Sequence, residues 1–302
     1  MTARDEGDAS RYQRPAGHNI DIDGISTHYF SQGQGDTIVL LHGASLAIDS
    51  YLTWFPVIES LSRDFRVIAF DQWGFGRTDR PRDGRYKNRL ERARHAIRFL
   101  EAMAIEGAIL VGHSEGGFVA SFIAIERPEM VSKLVIVTSG GTAPRLGGDR
   151  DDGWMRASED AYNHGAAGDD EEAFVRSSAT HQSIGQSIAG PAFERQLRES
   201  YRIARENGNW ALLRDLPPEE SDVRLYTKLQ EEWILPRLGE ISVPTLLIWA
   251  AGDPTVPVER GVALMRLLPN ADLHVFHGAG HLVMHQRASD FSRLLATWAR
   301  DD

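Results

Sequence analysis

A serine between two glycines lies where an apolar, strand-like run meets a helix-forming run. Residues 112–116 read Gly-His-Ser-Glu-Gly; residues 108–112 are apolar, and residues 118–124 favour a helix. The two glycines permit the tight strand-to-helix turn that strains the serine backbone and presents its hydroxyl outward. The pattern therefore predicts that Ser114 is a nucleophile, and a Gly-rich turn without chemistry is the alternative interpretation.

A serine hydroxyl is a poor nucleophile at neutral pH, so it needs a base and a third group that orients the base. Two residues farther along the chain fit these roles. Asp253 follows the apolar run 245–250, and His281 follows the predicted strand 272–276. We therefore expect Asp253 to orient His281, and His281 to accept a proton from Ser114. The alternative role of Asp253 is a helix N-cap or a turn before Pro254.

Hydrolysis of a carbonyl also requires hydrogen-bond donors for the developing oxyanion. Residues 41–44, Leu-His-Gly-Ala, follow another predicted strand and offer the main-chain NH of Ala44. The NH of Glu115, directly after the nucleophile, is the second predicted donor. His42 is interpreted as a structural histidine, whereas His113 either faces the pocket or packs under the turn.

Four histidines near the C-terminus raise the alternative of a metal site. His274, His277, His281 and His285 are separated by three, four and four residues, and the chain has no cysteine. This spacing does not reproduce the helical H-E-x-x-H pattern of zinc enzymes. The sequence therefore predicts no metal.

Strand-like runs alternate with helical periods along most of the chain. Five runs are almost continuously apolar, which is typical of parallel strands covered on both faces. They are residues 37–41, 66–70, 108–112, 133–137 and 244–249. Residues 19–23 and 25–30 predict an antiparallel hairpin that turns at Asp23 and Gly24. The predicted fold class is an α/β sandwich.

The alternation stops between about residues 141 and 241, which contain helical pieces but no convincing strand. We interpret this stretch as a helical insertion above the carboxyl ends of the strands, where α/β proteins bind ligands; a separate domain is the alternative. Before it, residues 77–98 contain nine basic residues and three acidic ones. We expect a solvated helix face there rather than a phosphate-binding patch.

Composition narrows the function classes. The 302 residues include 33 basic and 43 acidic ones, so the net charge is 33 − 43 = −10, which argues against a nucleic-acid partner. The absence of Cys excludes disulfides and a thiol nucleophile, and it is consistent with the cytoplasm. The first nineteen residues are polar, and no apolar run approaches the ~18 residues of a membrane span. We expect a soluble protein.

With these motifs in place, the chain resembles the α/β-hydrolase fold family over nearly its whole length. The resemblance rests on residues 41–43, 70–81, 112–116, 249–253 and 278–281. It implies a mostly parallel eight-stranded sheet flanked by helices, a Ser-His-acid triad, no cofactor and a helical cap. The implied division is a core domain in two parts, residues 1–141 and 241–302, with the cap at residues 142–240.

Within that family, the chain looks most like the meta-cleavage product hydrolases. The similar segments are residues 74–81 (Gly-Phe-Gly-Arg-Thr-Asp-Arg-Pro), 273–276 and 290–291. The resemblance implies cleavage of a carbon-carbon bond beside a ketone in a dienoate derived from an aromatic ring. The chain carries His113 and Leu282 where that subfamily usually has Asn and Trp, and Glu115 is unusual there.

Such substrates carry a carboxylate, so an arginine is expected to reach the pocket; the candidates are Arg145, Arg198 and Arg202. Further side chains are expected to contact the small-molecule substrate. They are His113, Phe118, Trp154, Trp210, Leu282 and Met284.

Three other functions stay open at this point. A carboxylesterase or lactonase acting on a hydrophobic acyl compound uses the same triad. A cofactor-free dioxygenase with a similar fold uses only the His-acid pair, as a base. A ligand receptor built on a hydrolase scaffold binds its ligand tightly and turns it over slowly. A homodimer is expected from the resemblance alone.

Overall fold

Eight strands lie side by side in one sheet in the computed structural model, which describes residues 12–45, 47–148, 153, 170–182, 190–214 and 223–301. In chain order they are β1 (His18–Ile22), β2 (Ile25–Gln32), β3 (Thr37–Leu41), β4 (Arg66–Phe70), β5 (Ala108–His113), β6 (Val131–Val137), β7 (Thr245–Ala250) and β8 (Ala271–Phe276). Their order across the sheet is β1-β2-β4-β3-β5-β6-β7-β8. The pairs β1–β2 and β2–β4 are antiparallel, and the other five pairs in the sheet are parallel. The predicted mostly parallel, eight-stranded sheet is confirmed.

Strand β3 shows why the apolar runs form this sheet. Ile38 and Leu40 join the buried cluster on one face, while Val39 and Leu41 join the cluster on the other. Because side chains alternate across a strand, a run that is apolar at every position fits only between two covering layers. The hairpin of β1 and β2 turns at Asp23 and Gly24, whose φ angles of 55° and 79° are those of a tight two-residue turn.

Helices cover both faces of the sheet. Several of them follow one another along the chain between β6 and β7 and form a helical group. The helices are α1 (Ser50–Leu61), α2 (Arg89–Ala102), α3 (Glu115–Glu126), α4 (Glu171–Gln182), α5 (Pro191–Glu206), α6 (Asn209–Arg214), α7 (Val223–Trp233), α8 (Val258–Leu267), α9 (Val283–Gln286) and α10 (Ala288–Arg300). Between β6 and β7, the described residues contain helices and no strand. The boundaries of a cap at residues 142–240 stay a prediction.

A buried ion pair fastens this helical group to the sheet layer. Arg14 Nη1 lies 2.6 Å from Asp49 Oδ2, and Asp49 also caps the N-terminus of α1 through Leu52 N. From α5, the Ser200 hydroxyl donates to Asp49 Oδ2 at 2.6 Å. One carboxylate thus joins the N-terminal segment, α1 and α5.

The basic segment at residues 77–98 is partly buried, which differs from the expected solvated helix face. Arg89 and Arg92 on α2 are 4% and 0% exposed, and Lys87 just before the helix is 4% exposed. The expectation of a solvated face is wrong for these residues, because Arg89 and Arg92 bind Glu115 on α3. A buried carboxylate on a neighbouring helix is not visible in the local charge pattern of α2.

No helix within the described ranges is long and apolar enough to cross a membrane.

A second buried pair joins β2 to the loop after β4. His28 Nδ1 lies 2.9 Å from Asp71 Oδ2, and both side chains are 2% exposed. Burial alone would lower the pKa of His28, but the hydrogen bond and charge of Asp71 outweigh it, so the pKa is raised. Burial would likewise raise the pKa of Asp71, but the bond to protonated His28 outweighs it and the pKa is lowered.

These shifts predict a pH-dependent contribution of His28 to stability. The raised pKa means that the contribution is complete below about pH 6.5 and is lost as the pH rises through the folded-state pKa. The lowered pKa of Asp71 means that its contribution is present above about pH 4. We expect the loss of unfolding free energy in His28→Gln to be largest between about pH 4 and 6.5, and smaller near pH 9. Urea unfolding at several pH values measures it.

His18→Gln is the matched control, because His18 is exposed on the adjacent strand β1. A His28→Gln penalty that grows with pH would contradict the direction of the shift.

Candidate active site

Ser114 lies at a strained turn between β5 and α3. Its φ and ψ angles are 52° and −119°, a conformation that a non-glycine residue rarely adopts. A Cβ on Gly116 would lie 2.2 Å from Leu41 O, and one on Gly112 would lie 2.3 Å from Gly116 O. Only glycine therefore fits at both positions, which explains the sequence pattern. The structure places Ser114 where the pattern predicts it.

Hydrogen bonds to its main chain hold this turn. Ser114 N donates to Val137 O at 3.0 Å, and the Ser139 hydroxyl donates to Ser114 O at 2.6 Å. Both partners belong to the end of β6 and the residues just after it. The strand beside β5 thus supports the strained residue.

Asp253 and His281 form a close pair. Asp253 Oδ2 lies 2.8 Å from His281 Nδ1, and the aspartate side chain is fully buried. A carboxylate at this nitrogen favours the tautomer that carries its proton on Nδ1, so the Nε2 lone pair is free to accept one. The geometry is that of a base oriented by an acid.

The other carboxylate oxygen of Asp253 forms a turn with the residues that follow. Oδ1 accepts from Thr255 N at 2.8 Å, from the Thr255 hydroxyl at 2.7 Å and from Val256 N at 3.0 Å. The turn that was the alternative role of Asp253 therefore forms through Oδ1, while Oδ2 is the oxygen that faces His281. Thr255 was not predicted, although a threonine two residues after an aspartate is a recognisable turn signal.

Ser114 and His281 are both described, and no hydrogen bond joins the Ser114 hydroxyl to the imidazole in this structure. Such bonds are often long until a substrate is bound.

The predicted oxyanion segment lies beside the nucleophile. A Cβ on Gly43 would lie 3.1 Å from Ser114 Cβ, so the main chain leading to Ala44 passes directly over the serine. His42 Nδ1 donates to Gly43 O at 2.6 Å, and its Nε2 accepts from Gln72 N at 3.0 Å. Burial lowers the pKa of His42, so it stays neutral. His42 fixes this turn with both ring nitrogens.

Glu115 combines a predicted oxyanion donor with a buried carboxylate. Its side chain is 7% exposed, and it pairs with Arg89 through one oxygen and with Arg92 Nη2 at 3.2 Å through the other. The Arg89 guanidinium also lies over the Phe118 ring. Two arginines from α2 thus hold the first residue of α3 in place.

His113 packs under the turn. It is 3% exposed, and its Nε2 lies 3.0 Å from the main-chain oxygen of His281. The two rings are 4.7 Å apart between centroids. Burial, and then the charge on His281, holds the pKa of His113 well below its ordinary value, so it stays neutral.

The apolar residues proposed for the pocket are mostly core in this structure. Phe118 and Met284 have no exposed surface, and Leu282 is 4% exposed. Trp210 is 2% exposed and makes edge-to-face contacts with aromatic rings of α4 and α5. Trp154 lies outside the described residues.

The candidate arginines lie in different surroundings. Arg198 pairs with Glu172, and Arg202 Nη2 lies 2.9 Å from Glu171 Oε1 on the exposed side of α5. Arg145 is half-buried in the segment after β6. Among the three, only Arg145 follows directly from the loop that supports Ser114.

The structure does not gather the four C-terminal histidines at one point. His285 Nε2 lies 2.9 Å from Thr53 O, and burial lowers its pKa to about 4. Within the part of the chain that the structure describes, no group of three His, Asp or Glu side chains is arranged to hold a metal ion.

The chain is similar to known hydrolases in both sequence and fold. The family model of the alpha/beta hydrolase fold matches residues 36–288. The chain is 31% identical to a 2-hydroxymuconate semialdehyde hydrolase of Pseudomonas putida, with 92% of each chain covered. It is 27% identical to a 2-hydroxy-6-oxo-6-phenylhexa-2,4-dienoate hydrolase of Comamonas testosteroni, with 99% of each covered.

Among solved structures, a meta-cleavage product hydrolase from Pseudomonas fluorescens superposes with a TM-score of 0.77 at 25% identity, covering 93% of this chain and 96% of the other.

The Glu115 site generates a stability prediction. Glu115→Gln leaves two buried guanidinium groups facing a neutral amide, and breaking a buried ion pair costs about 3 kcal/mol or more. We expect a loss of unfolding free energy of that size in urea titrations.

Glu129→Gln, which removes the exposed carboxylate beside Arg127, is the control and should leave stability unchanged within error. Equal stability of the two variants would show that the buried cluster of Glu115, Arg89 and Arg92 contributes little to the free energy of unfolding.

Proposed function

Because this chain belongs to the α/β hydrolase fold family and is an enzyme of that family, we propose that it is a serine-dependent hydrolase cleaving a carbon-carbon bond beside a ketone in a 2-hydroxy-6-oxo-dienoate. The observation that carries the proposal is the buried Asp253, 2.8 Å from His281, at the same sheet edge as the strained Ser114. The names of the similar hydrolases support the substrate class.

The residues take the following roles in the proposal. His281, oriented by Asp253, takes the proton of Ser114 or of a water molecule. The resulting nucleophile adds to the ketone carbon, and the NH groups of Ala44 and Glu115 stabilise the oxygen that becomes negative. Losing one such donor typically costs about 3 kcal/mol of transition-state stabilisation.

Cleavage of a carbon-carbon bond adds a requirement that an ester does not have. The dienoate carbon beside the ketone must gain a proton before attack, because only then does the bond break to release a stable dienolate. The acyl part leaves as a carboxylic acid containing one oxygen from water, and the dienolate takes up a proton to give a hydroxydienoate. No oxidant or cofactor enters this balance.

The cap, proposed at residues 142–240, sets specificity from above the strand ends. Arg145 is the preferred partner of the substrate carboxylate, because it is half-buried and follows the loop that contacts the Ser114 turn.

A cytoplasmic location is supported by the composition, which lacks Cys. A homodimer is supported by the resemblance, and sedimentation velocity tests it.

Substrate choice is the first prediction. We expect kcat/KM for a 2-hydroxy-6-oxo-dienoate to exceed that for p-nitrophenyl esters and for a lactone by about tenfold or more. A site that protonates the dienoate carbon stabilises the transition state of that substrate, whereas an ester or a lactone gains only the binding of its carbonyl. Steady-state kinetics on this panel measures it. Higher values for the esters would indicate a carboxylesterase, and higher values for the lactone a lactonase.

The triad is the second prediction. Asp253→Asn keeps the shape of the site but favours the wrong imidazole tautomer. We therefore expect kcat to fall by about 10⁴, the loss that the equivalent substitution causes in a serine protease triad. Ser114→Ala should lose turnover of the same substrate. If Ser114→Ala is as active as wild type, the nucleophile is misassigned, and a His-acid base chemistry such as that of a cofactor-free dioxygenase becomes the better account.

A further inference from the structure

Two side chains hold the main-chain oxygen of His281. The Thr138 hydroxyl donates to it at 3.1 Å, and His113 Nε2 lies 3.0 Å from it. Since a carbonyl only accepts hydrogen bonds, this ring nitrogen of His113 carries the proton. His113 ends β5 and Thr138 directly follows β6, so the catalytic loop after β8 is anchored by two strands across the sheet.

Thr138 adopts a backbone conformation that its residue type disfavours. It is fully buried with a φ angle of 39°. A β-branched residue at positive φ is an outlier, and such strain is retained where the surrounding structure requires it. The other positive-φ residues that are not glycine in the described chain are Asp23, Ala47, Ala104 and Ser114, none of them β-branched. A glycine would adopt this backbone without strain, so the threonine side chain must contribute something else.

The loop that carries His281 has little to anchor it from within. Residues 278–281 read Gly-Ala-Gly-His, and no side chain before the histidine extends beyond Cβ. Hydrogen bonds to the main chain fix the two residues before His281. Gly252 N donates to Ala279 O at 3.0 Å, and the Gln286 side chain accepts from Gly280 N at 2.6 Å. The residue itself is fixed at imidazole Nδ1 by Asp253 and by the Thr255 hydroxyl at 3.0 Å, and at the carbonyl by Thr138 and His113.

These two fixed points decide where Nε2 of the imidazole lies. Asp253 holds one side of the ring, but a shift of the main chain would still swing the other side toward or away from Ser114. No hydrogen bond joins Ser114 to His281 in this structure, so the position of the main chain bears on whether one can form. A misplacement of about 1 Å can cost 10²-fold in rate.

We propose that Thr138 is a positioning residue for His281: its hydroxyl, together with His113, fixes the His281 carbonyl and so sets the reach of the imidazole toward Ser114. The inference rests on the proposed role of His281 as the base. It explains why a strained threonine occupies a position that suits glycine.

The test separates the hydroxyl from the backbone strain. Thr138→Ala and Thr138→Gly both remove the hydroxyl, and only the glycine relieves the strain. We expect Thr138→Gly to melt about 2 °C or more above Thr138→Ala, while kcat falls about tenfold in both and KM changes less than twofold. Thr138→Ser keeps the hydroxyl and should retain kcat within about threefold of wild type.

Ala104→Gly is the matched control, because exposed Ala104 has a φ of 49° and lies on the loop after α2. It should not lower the melting temperature and should leave kcat unchanged. His113→Gln places an amide near the position of Nε2 and should retain more activity than His113→Asn, whose shorter side chain does not reach the carbonyl.

Wild-type kcat in Thr138→Gly would overturn the proposal, and so would a Thr138→Ser variant as slow as Thr138→Ala. These ratios are measured on whichever dienoate or p-nitrophenyl ester the wild type turns over, so a wrong substrate class leaves the test intact. If the wild type turns over neither, the proposed function fails. The rate of Ser114 labelling by a fluorophosphonate, followed by intact mass, then gives the same comparison and decides the positioning role.

Discussion

The hydrogen bond between Asp253 and His281 depends on adjacent parallel strands ending at one edge of the sheet. Asp253 follows β7 and His281 follows β8, and these strands pair from Thr245 to Ala250. A carboxylate and an imidazole from distant parts of the chain thereby meet at 2.8 Å, and the Thr255 hydroxyl contacts both of them. Ser114 directly follows β5 at the same edge, and β6 lies between the two halves of the site. That central strand is followed by the residues that support both halves, Thr138 toward His281 and Ser139 toward Ser114.

Buried charge is the second constraint on this architecture. The Glu115 carboxylate, one residue from the nucleophile, would oppose a developing oxyanion if it stood alone. Arg89 and Arg92 surround it with two positive charges, and all three side chains are at most 7% exposed. Asp71 and Asp49 are paired in the same way with His28 and Arg14. The Asp49 and Asp71 pairs tie the loops after β3 and β4 to neighbouring elements, and the Glu115 cluster ties α3 to α2, so the same contacts that satisfy the buried charges also hold these elements together.

The sequence was sufficient to predict features that local patterns determine. Continuous apolar runs predicted the strands, and the glycines at 112 and 116 predicted the turn because no Cβ fits there. Contacts between distant segments were not predictable in this way. Nothing in the local sequence of α2 shows that Arg89 reaches Glu115, or that the hydroxyl of Thr138 reaches His281 O. The aromatic residue Trp210 fits a pocket and a core equally well by type, and only its ring contacts with Phe174 and Tyr201 assign it to the core.

The central claim is that water, activated at this site, divides a carbon-carbon bond beside a ketone. Turnover of a 2-hydroxy-6-oxo-dienoate in water enriched in oxygen-18, with mass analysis of both products, tests it most directly. The account predicts one heavy oxygen in the carboxylic acid derived from the ketone and none added to the hydroxydienoate, without consumption of dioxygen. Product oxygen that derives from dioxygen, or an intact carbon-carbon bond under conditions where an ester is hydrolysed, would contradict it.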